Sequence, residues 1–193
     1  KIHHELVQGE SLRTFYRHIH KLADQMPQFF FGTIQNLQTE SKIAMKADGV
    51  ISIDEHIIPH TSSKMEGVDY FHSSSENDQI LAQSIISTHY YRCGIEYPVS
   101  FQFYRREREL EKRDQIDLYR KKNVIAREEL EKICAFPNSP SCILMDSFFM
   151  TKENCQFLQQ KKKTYISRPR RNWKGTFEHK RQSLTDIFET IPD

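Results

Sequence analysis

Two aspartates carry the sharpest chemical signal in this sequence. Val50-Ile51-Ser52-Ile53 is a β-branched run that hands over to Asp54, and Cys142-Ile143-Leu144-Met145 is a second apolar run that hands over to Asp146. Short runs of this kind form buried strands. If the two strands lie side by side, the carboxylates meet at one sheet edge, where paired oxygens bind hard divalent cations. Two such cations about 4 Å apart activate the attacking oxygen and stabilise the leaving oxygen in phosphodiester cleavage. An acid after a strand also serves as a turn or helix-cap residue, so spacing alone leaves both roles open. Glu55, next to the first aspartate, is either a hydrogen-bond acceptor behind the metal ligands or simply exposed, and the second is expected.

The other clusters point less sharply. Cys93, Cys134, Cys142 and Cys155 are irregularly spaced with no CxxC pair, which gives no tetrahedral zinc set and predicts buried free thiols. His56 and His60 have the i, i+4 spacing of a helical metal site, but Pro59 interrupts any helix there. Charge is more informative. The net charge of +2 hides a run from Lys161 to Arg181 with nine basic residues against the single acid Glu178, a local +8 that leaves −6 on the rest of the chain. Such a concentration neutralises phosphates, and the lone tryptophan, Trp173, within it suits nucleic acid better than a plain solvated face. A second charged stretch, Arg105 to Lys132, mixes ten basic with eight acidic residues and reads as an exposed helical face without chemistry of its own.

The elements that must position the aspartates follow from periodicity. Leu12, Phe15, Tyr16, Ile19 and Leu22 recur at helical spacing behind Ser11 as N-cap, with Pro27 ending that helix, and a second helix runs from about 33 to 46. Residues 1–48 thus read as an N-terminal helical region. Val50 to Ile53 is the first strand, and residues 59–78 are turn-rich. Gln79 to Tyr91 and Tyr97 to Tyr104 form two antiparallel strands joined at Arg92-Cys93-Gly94. Ile125 to Cys134 is a helix and Pro137 to Pro140 a loop. Cys142 to Met145 is a strand, Thr151 caps a helix through about Gln160, and Tyr165-Ile166 opens a last strand. Residues 49–172 form the core of an α/β protein, and residues 173–193 a basic, weakly structured tail.

Composition bounds these readings. The chain has 193 residues, 37% hydrophobic and 11% aromatic, enough for one domain with an appendage and too aromatic for a disordered chain. It contains no bilayer-spanning apolar run and no signal-peptide core in its first residues. These features predict a soluble, cytoplasmic protein. A first residue of Lys1 suggests a processed chain or a piece of a longer one.

Longer strings narrow the function. ISIDEHIIPHTSSKMEGVDYFHSS, ILAQSIISTHYYRCGIEYPVSFQFYRR and CILMDSFFMTKENCQFLQQKKKTYISRPRRN occur in that order, and together they resemble the DDE-superfamily transposases of bacterial and archaeal insertion sequences over roughly Asp48 to Asn172. The resemblance implies an RNase H-like mixed sheet with flanking helices and puts Asp54 and Asp146 in the catalytic, metal-binding positions, with Mg²⁺ or Mn²⁺ as cofactor. It implies cleavage and strand transfer on double-stranded DNA, at transposon ends and target, in a nucleoid-associated protein that could act as a homodimer. Lys163, Arg168, Arg170, Arg171 and Lys174 are then the candidates for phosphate contact. Glu55 and His56 stand where the family has Asp-Thr, and His60 where a Lys is common. The third acid of such enzymes lies in a later helix. Glu178 and Glu189, the only glutamates after Glu153, lack its sequence context, so the chain is expected to be truncated or degenerate. Two alternatives remain: a DNA-binding remnant without catalysis, and an interaction domain with no nucleic-acid role.

Overall fold

The computed structural model of the chain describes residues 26–73, 75–168, 173–177 and 179–190, and it divides into two units, Lys1–Ala44 and Met45–Asp193. In the first unit, helix α1 spans Met26–Leu37. Pro27 sits in its first turn, where its missing N–H leaves no helical bond unmade, and the helix ends at Leu37 rather than spanning the expected 33–46. The helix expected upstream lies outside the described residues. The unit boundary falls four residues before the expected 48/49 boundary.

The second unit is built on a mixed sheet. Strands β1 (Val50–Pro59), β3 (Asp78–Arg92) and β4 (Ile95–Tyr104) form an antiparallel meander, and short β2 (Asp69–Ser73) pairs with the start of β3. Cys93 and Gly94 close the β3–β4 hairpin with φ of 49° and 81°. That is the left-handed pair a two-residue hairpin turn requires, placed where the sequence predicted it. Helix α2 (Glu107–Glu111), a short 3₁₀ turn (Ile116–Leu118) and helix α3 (Lys122–Cys134) then lead to β5 (Cys142–Met145). β5 lies parallel to β1, and helix α4 (Lys152–Gln160) carries the chain to β6 (Thr164–Ile166), parallel to β5. Thr151 caps α4, accepting the Asn154 N–H at 3.2 Å. Three antiparallel strands followed by two parallel ones, joined through helices, is an RNase H-like α/β arrangement.

One sheet face is the core. Ile51, Ile53, Ile86, Tyr90, Ile143 and Met145 are buried there, and α3 contributes buried Ile125, Ala126, Leu130 and Ile133. Tyr90 fixes the entry to β1: its hydroxyl accepts the Lys46 N–H at 3.1 Å, and its ring lies where a Cβ on Gly49 would stand. The charged stretch from Arg105 to Lys132 is not simply a solvated face, because Glu109 and Glu129 are buried within it. Glu129 is satisfied by the Ser100 hydroxyl and the Lys132 ammonium, as burial of a carboxylate demands.

The region expected to be weakly structured contains regular elements. Among its described residues, β7 (Lys174–Phe177) and β8 (Lys180–Ser183) form a hairpin, followed by helix α5 (Leu184–Thr190) with Ile187 buried. The cysteines are all free, but Cys93 is exposed and only Cys155 is fully buried, so the expectation of four buried thiols is corrected. Hairpin geometry explains the first: a turn residue at positive φ projects away from the sheet. Among the described residues no helix is long and apolar enough to cross a membrane.

Candidate active site

The parallel register pairs Ile53 with Met145, the last residue of β5. The next residue on each strand is an aspartate, so Asp54 and Asp146 both follow the last paired position of neighbouring strands, and both line the same two depressions. β1 does not stop at Asp54, as its sequence suggested; it continues to Pro59, held along β3 from Ser87 to Ala82. Asp54 is therefore the point where β1 loses its parallel neighbour, which opens a groove beside it.

Both carboxylates are exposed. Asp54 Oδ1 accepts the Glu55 N–H at 2.8 Å, and Asp146 Oδ1 accepts the Phe148 N–H. The backbone carbonyl of Asp146 also accepts from Phe149 and Met150 at 3.2 and 3.3 Å. Asp146 is thus a turn residue in fact, but the turn uses only one carboxylate oxygen. No Lys, Arg or His lies within ion-pair distance of either aspartate among the described residues. Two adjacent negative groups without a cationic partner form an electrostatic site that a cation relieves.

The pair forms a ridge between two depressions. On one side a groove of about 810 Å³ is lined by Asp54, Glu55 and Asp146 together with Phe71, Arg106, Lys122 and Phe148. On the other a shallower one of about 340 Å³ brings in Leu144, Ile166 and Arg168. Arg168 thus lines the same depression as the two aspartates. Lys174 is exposed on β7. Lys163 has a different occupation: its ammonium donates to the Ser139 carbonyl at 2.9 Å and hydroxyl at 2.6 Å, tying down the Pro137–Pro140 loop. Arg170 and Arg171 lie outside the described residues.

Glu55 departs from expectation. It is half-buried and lines the same groove as the aspartates, where it accepts the Ser84 hydroxyl at 2.6 Å and pairs with Lys122 at 2.5 Å. Lys122 in turn lies 4.9 Å from the Tyr104 ring centre, and the Arg106 guanidinium lies 4.8 Å over Phe71. Arg106 and Lys122 were missed because they belong to a stretch whose alternating signs suggest mutual neutralisation. The only signal available was the doublet Lys121-Lys122 with no acid within three residues on either side.

Among the described residues, no three His, Cys, Asp or Glu side chains cluster to hold a metal. No protein-family model and no curated protein matches the chain. One solved structure is similar. It is a piggyBac transposase synaptic complex with hairpin DNA, at 16% identity and a TM-score of 0.46, the match covering 67% of this chain and 24% of that one. The chain therefore spans about a quarter of the length of that protein.

Proposed function

We propose that this chain is the core of a DNA transposase of the DDE type, with Asp54 and Asp146 as its metal-binding and catalytic acids. The observation that carries the reading is that the β1–β5 parallel pair ends on two aspartates that line the same depressions, with no ion-pair partner among the described residues, and with Arg168 in one depression and Arg106 and Lys122 in the other.

The donor set fits Mg²⁺ or Mn²⁺. Both ligands are hard oxygens, each aspartate keeps one oxygen outside its local turn bond, and Mg²⁺ is commonly held by one or two carboxylates plus water and substrate phosphate. Bound there, a divalent cation would supply activation of the attacking oxygen and stabilisation of the leaving oxygen at a phosphodiester. The protein's own part is placement. The backbone N–H groups of Glu55 and Phe148 fix the two carboxylates. Arg168 and Arg106 flank the ridge with positive charge, so a DNA strand crossing it would be held by phosphate contacts on both sides. Glu55 neutralises Lys122 and anchors it to the sheet.

A second reading, a DNA-binding remnant without cleavage, draws support from the absence of a third clustered acid among the described residues. Incubating the chain with end-labelled duplex DNA and Mg²⁺ or Mn²⁺ separates the two. Strand cleavage that EDTA stops supports the enzyme; salt-sensitive binding without cleavage supports the remnant.

A further inference from the structure

A second cavity, of about 410 Å³, opens next to the groove of the two aspartates and shares Arg106, Lys122 and Phe148 with it. Its remaining walls include Lys121, Tyr104 and Tyr119. Among the described residues three cations line it and no carboxylate does. Lys122 is balanced by Glu55, but Arg106 and Lys121 have no carboxylate within ion-pair distance among the described residues. The cavity is therefore a positive site with aromatic walls. Burial, together with the charge of Tyr119 and a hydrogen bond to it, pushes the Tyr104 hydroxyl above its ordinary pKa.

Two polar atoms here are shielded from water and have no hydrogen-bond partner among the described residues, Arg106 Nε and Asn123 Oδ1, and Asn123 is also part of the cavity wall. Buried polar groups are ordinarily paired, so each is an unmet hydrogen-bond requirement in the cavity's surroundings. The two need opposite chemistry. Arg106 Nε is a donor and suits a phosphate oxygen; Asn123 Oδ1 is an acceptor and needs an N–H or O–H, which a phosphodiester does not carry but a nucleobase does. Positive charge, aromatic faces and a paired donor and acceptor requirement together describe a nucleotide, and about 410 Å³ is within the roughly 300–1,000 Å³ range of small-ligand sites.

We propose that this cavity binds one nucleotide of an unpaired DNA strand, its phosphate against Arg106 and Lys121 and its base between Tyr104, Tyr119 and Phe148. Stacking on aromatic walls beside a cationic rim is the general mode of single-strand binding, and a base in a duplex has no face free to enter. The assignment rests on the DNA-binding part of the proposed function and is independent of the metal site.

Its test is binding in EDTA, where cleavage is silent. Fluorescence anisotropy of a labelled ten-residue oligothymidylate and of a duplex of the same length, between 50 and 200 mM salt, compares the wild type with Lys121→Ala and Arg106→Gln. Lys121 is exposed and outside the core, so its variant folds even if loss of Arg106 from Phe71 disturbs the sheet edge. Each variant is expected to weaken single-strand binding about 3- to 10-fold at low salt and to flatten the slope of log affinity against log salt by about 0.7, with duplex affinity falling less. Unchanged single-strand affinity and slope for Lys121→Ala, with wild-type binding intact, overturns the pocket and leaves the transposase reading standing. A wild type that binds neither DNA overturns both. Displacement of the oligonucleotide by equal concentrations of inorganic phosphate or of an acidic peptide also overturns the assignment, because the site would then read charge alone.

Discussion

Asp146 divides its two carboxylate oxygens between structure and chemistry. Oδ1 accepts the Phe148 N–H and so builds the turn after β5, while the other oxygen has no partner among the described residues. This division predicts different outcomes for two substitutions. Asp146→Asn keeps an amide oxygen for the turn but replaces the free oxygen with a donor that cannot hold a hard cation. It should unfold within about 0.5 kcal/mol of the wild type in urea and retain DNA affinity, yet lose metal-dependent cleavage. Asp146→Ala removes the turn bond as well and should cost roughly 1 kcal/mol of stability. Equal cleavage by Asp146→Asn and the wild type would reduce Asp146 to its turn role. Gly49 offers a purely structural counterpart. Any Cβ there meets the buried Tyr90 ring, so Gly49→Ala should lower stability by about 1–3 kcal/mol through displacement of that ring, read as a drop in the urea midpoint.

At the scale of elements, α2 is held to the sheet by a charge cluster. Glu109 accepts Arg105 Nε at 2.8 Å, pairs with Arg113 at 2.5 Å and accepts the Gly67 N–H at 3.4 Å. Burial pushes the Glu109 carboxyl up, but the hydrogen bonds and charge of Arg105, the Gly67 N–H and Arg113 outweigh it, and the group sits below its ordinary value of 4.5. A depressed folded-state pKa adds stability that is complete above the unfolded value and is lost as pH falls through the folded one. Urea midpoints should therefore drop below about pH 4.5, the ordinary value. Glu109→Gln should be less stable by roughly 1–3 kcal/mol at pH 7 and show a shallower acid decline. A variant with the same acid profile as the wild type would show that other carboxylates govern it. This cluster also shows where sequence reading stops. The strands that carry Asp54 and Asp146 were legible because their apolar runs are local. The burial of Glu109 and Glu129 was not, because it depends on Gly67 and Ser100, distant in sequence. β2 was hidden in a turn-rich segment because Asp69–Ser73 becomes a strand only by pairing with the start of the 15-residue β3. The same long β3 keeps β1 extended past Asp54 to Pro59.

Across the whole molecule, charge is separated along the chain: +8 between Lys161 and Arg181 and −6 elsewhere. The sequence made this visible, but not that Lys163 spends its ammonium on Ser139, nor that Arg106 and Lys121 add a second positive site across the aspartate ridge. Replacing Arg168, Arg170 and Arg171 together by Ala should weaken binding to all duplex sequences alike and flatten the salt slope by up to about 2.7, at about 0.9 per phosphate. A slope equal to that of the wild type would make the run a solvated surface. The central claim is narrower than DNA binding: it is that Asp54 and Asp146 act as one cation site. Titration of Mn²⁺ followed by electron paramagnetic resonance, with wild type, Asp54→Asn and Asp146→Asn compared in parallel, tests it most directly. The account predicts a Mn²⁺ site in the wild type that either substitution weakens at least about tenfold, since each removes one of two anionic ligands. Wild-type Mn²⁺ affinity in both variants would contradict it.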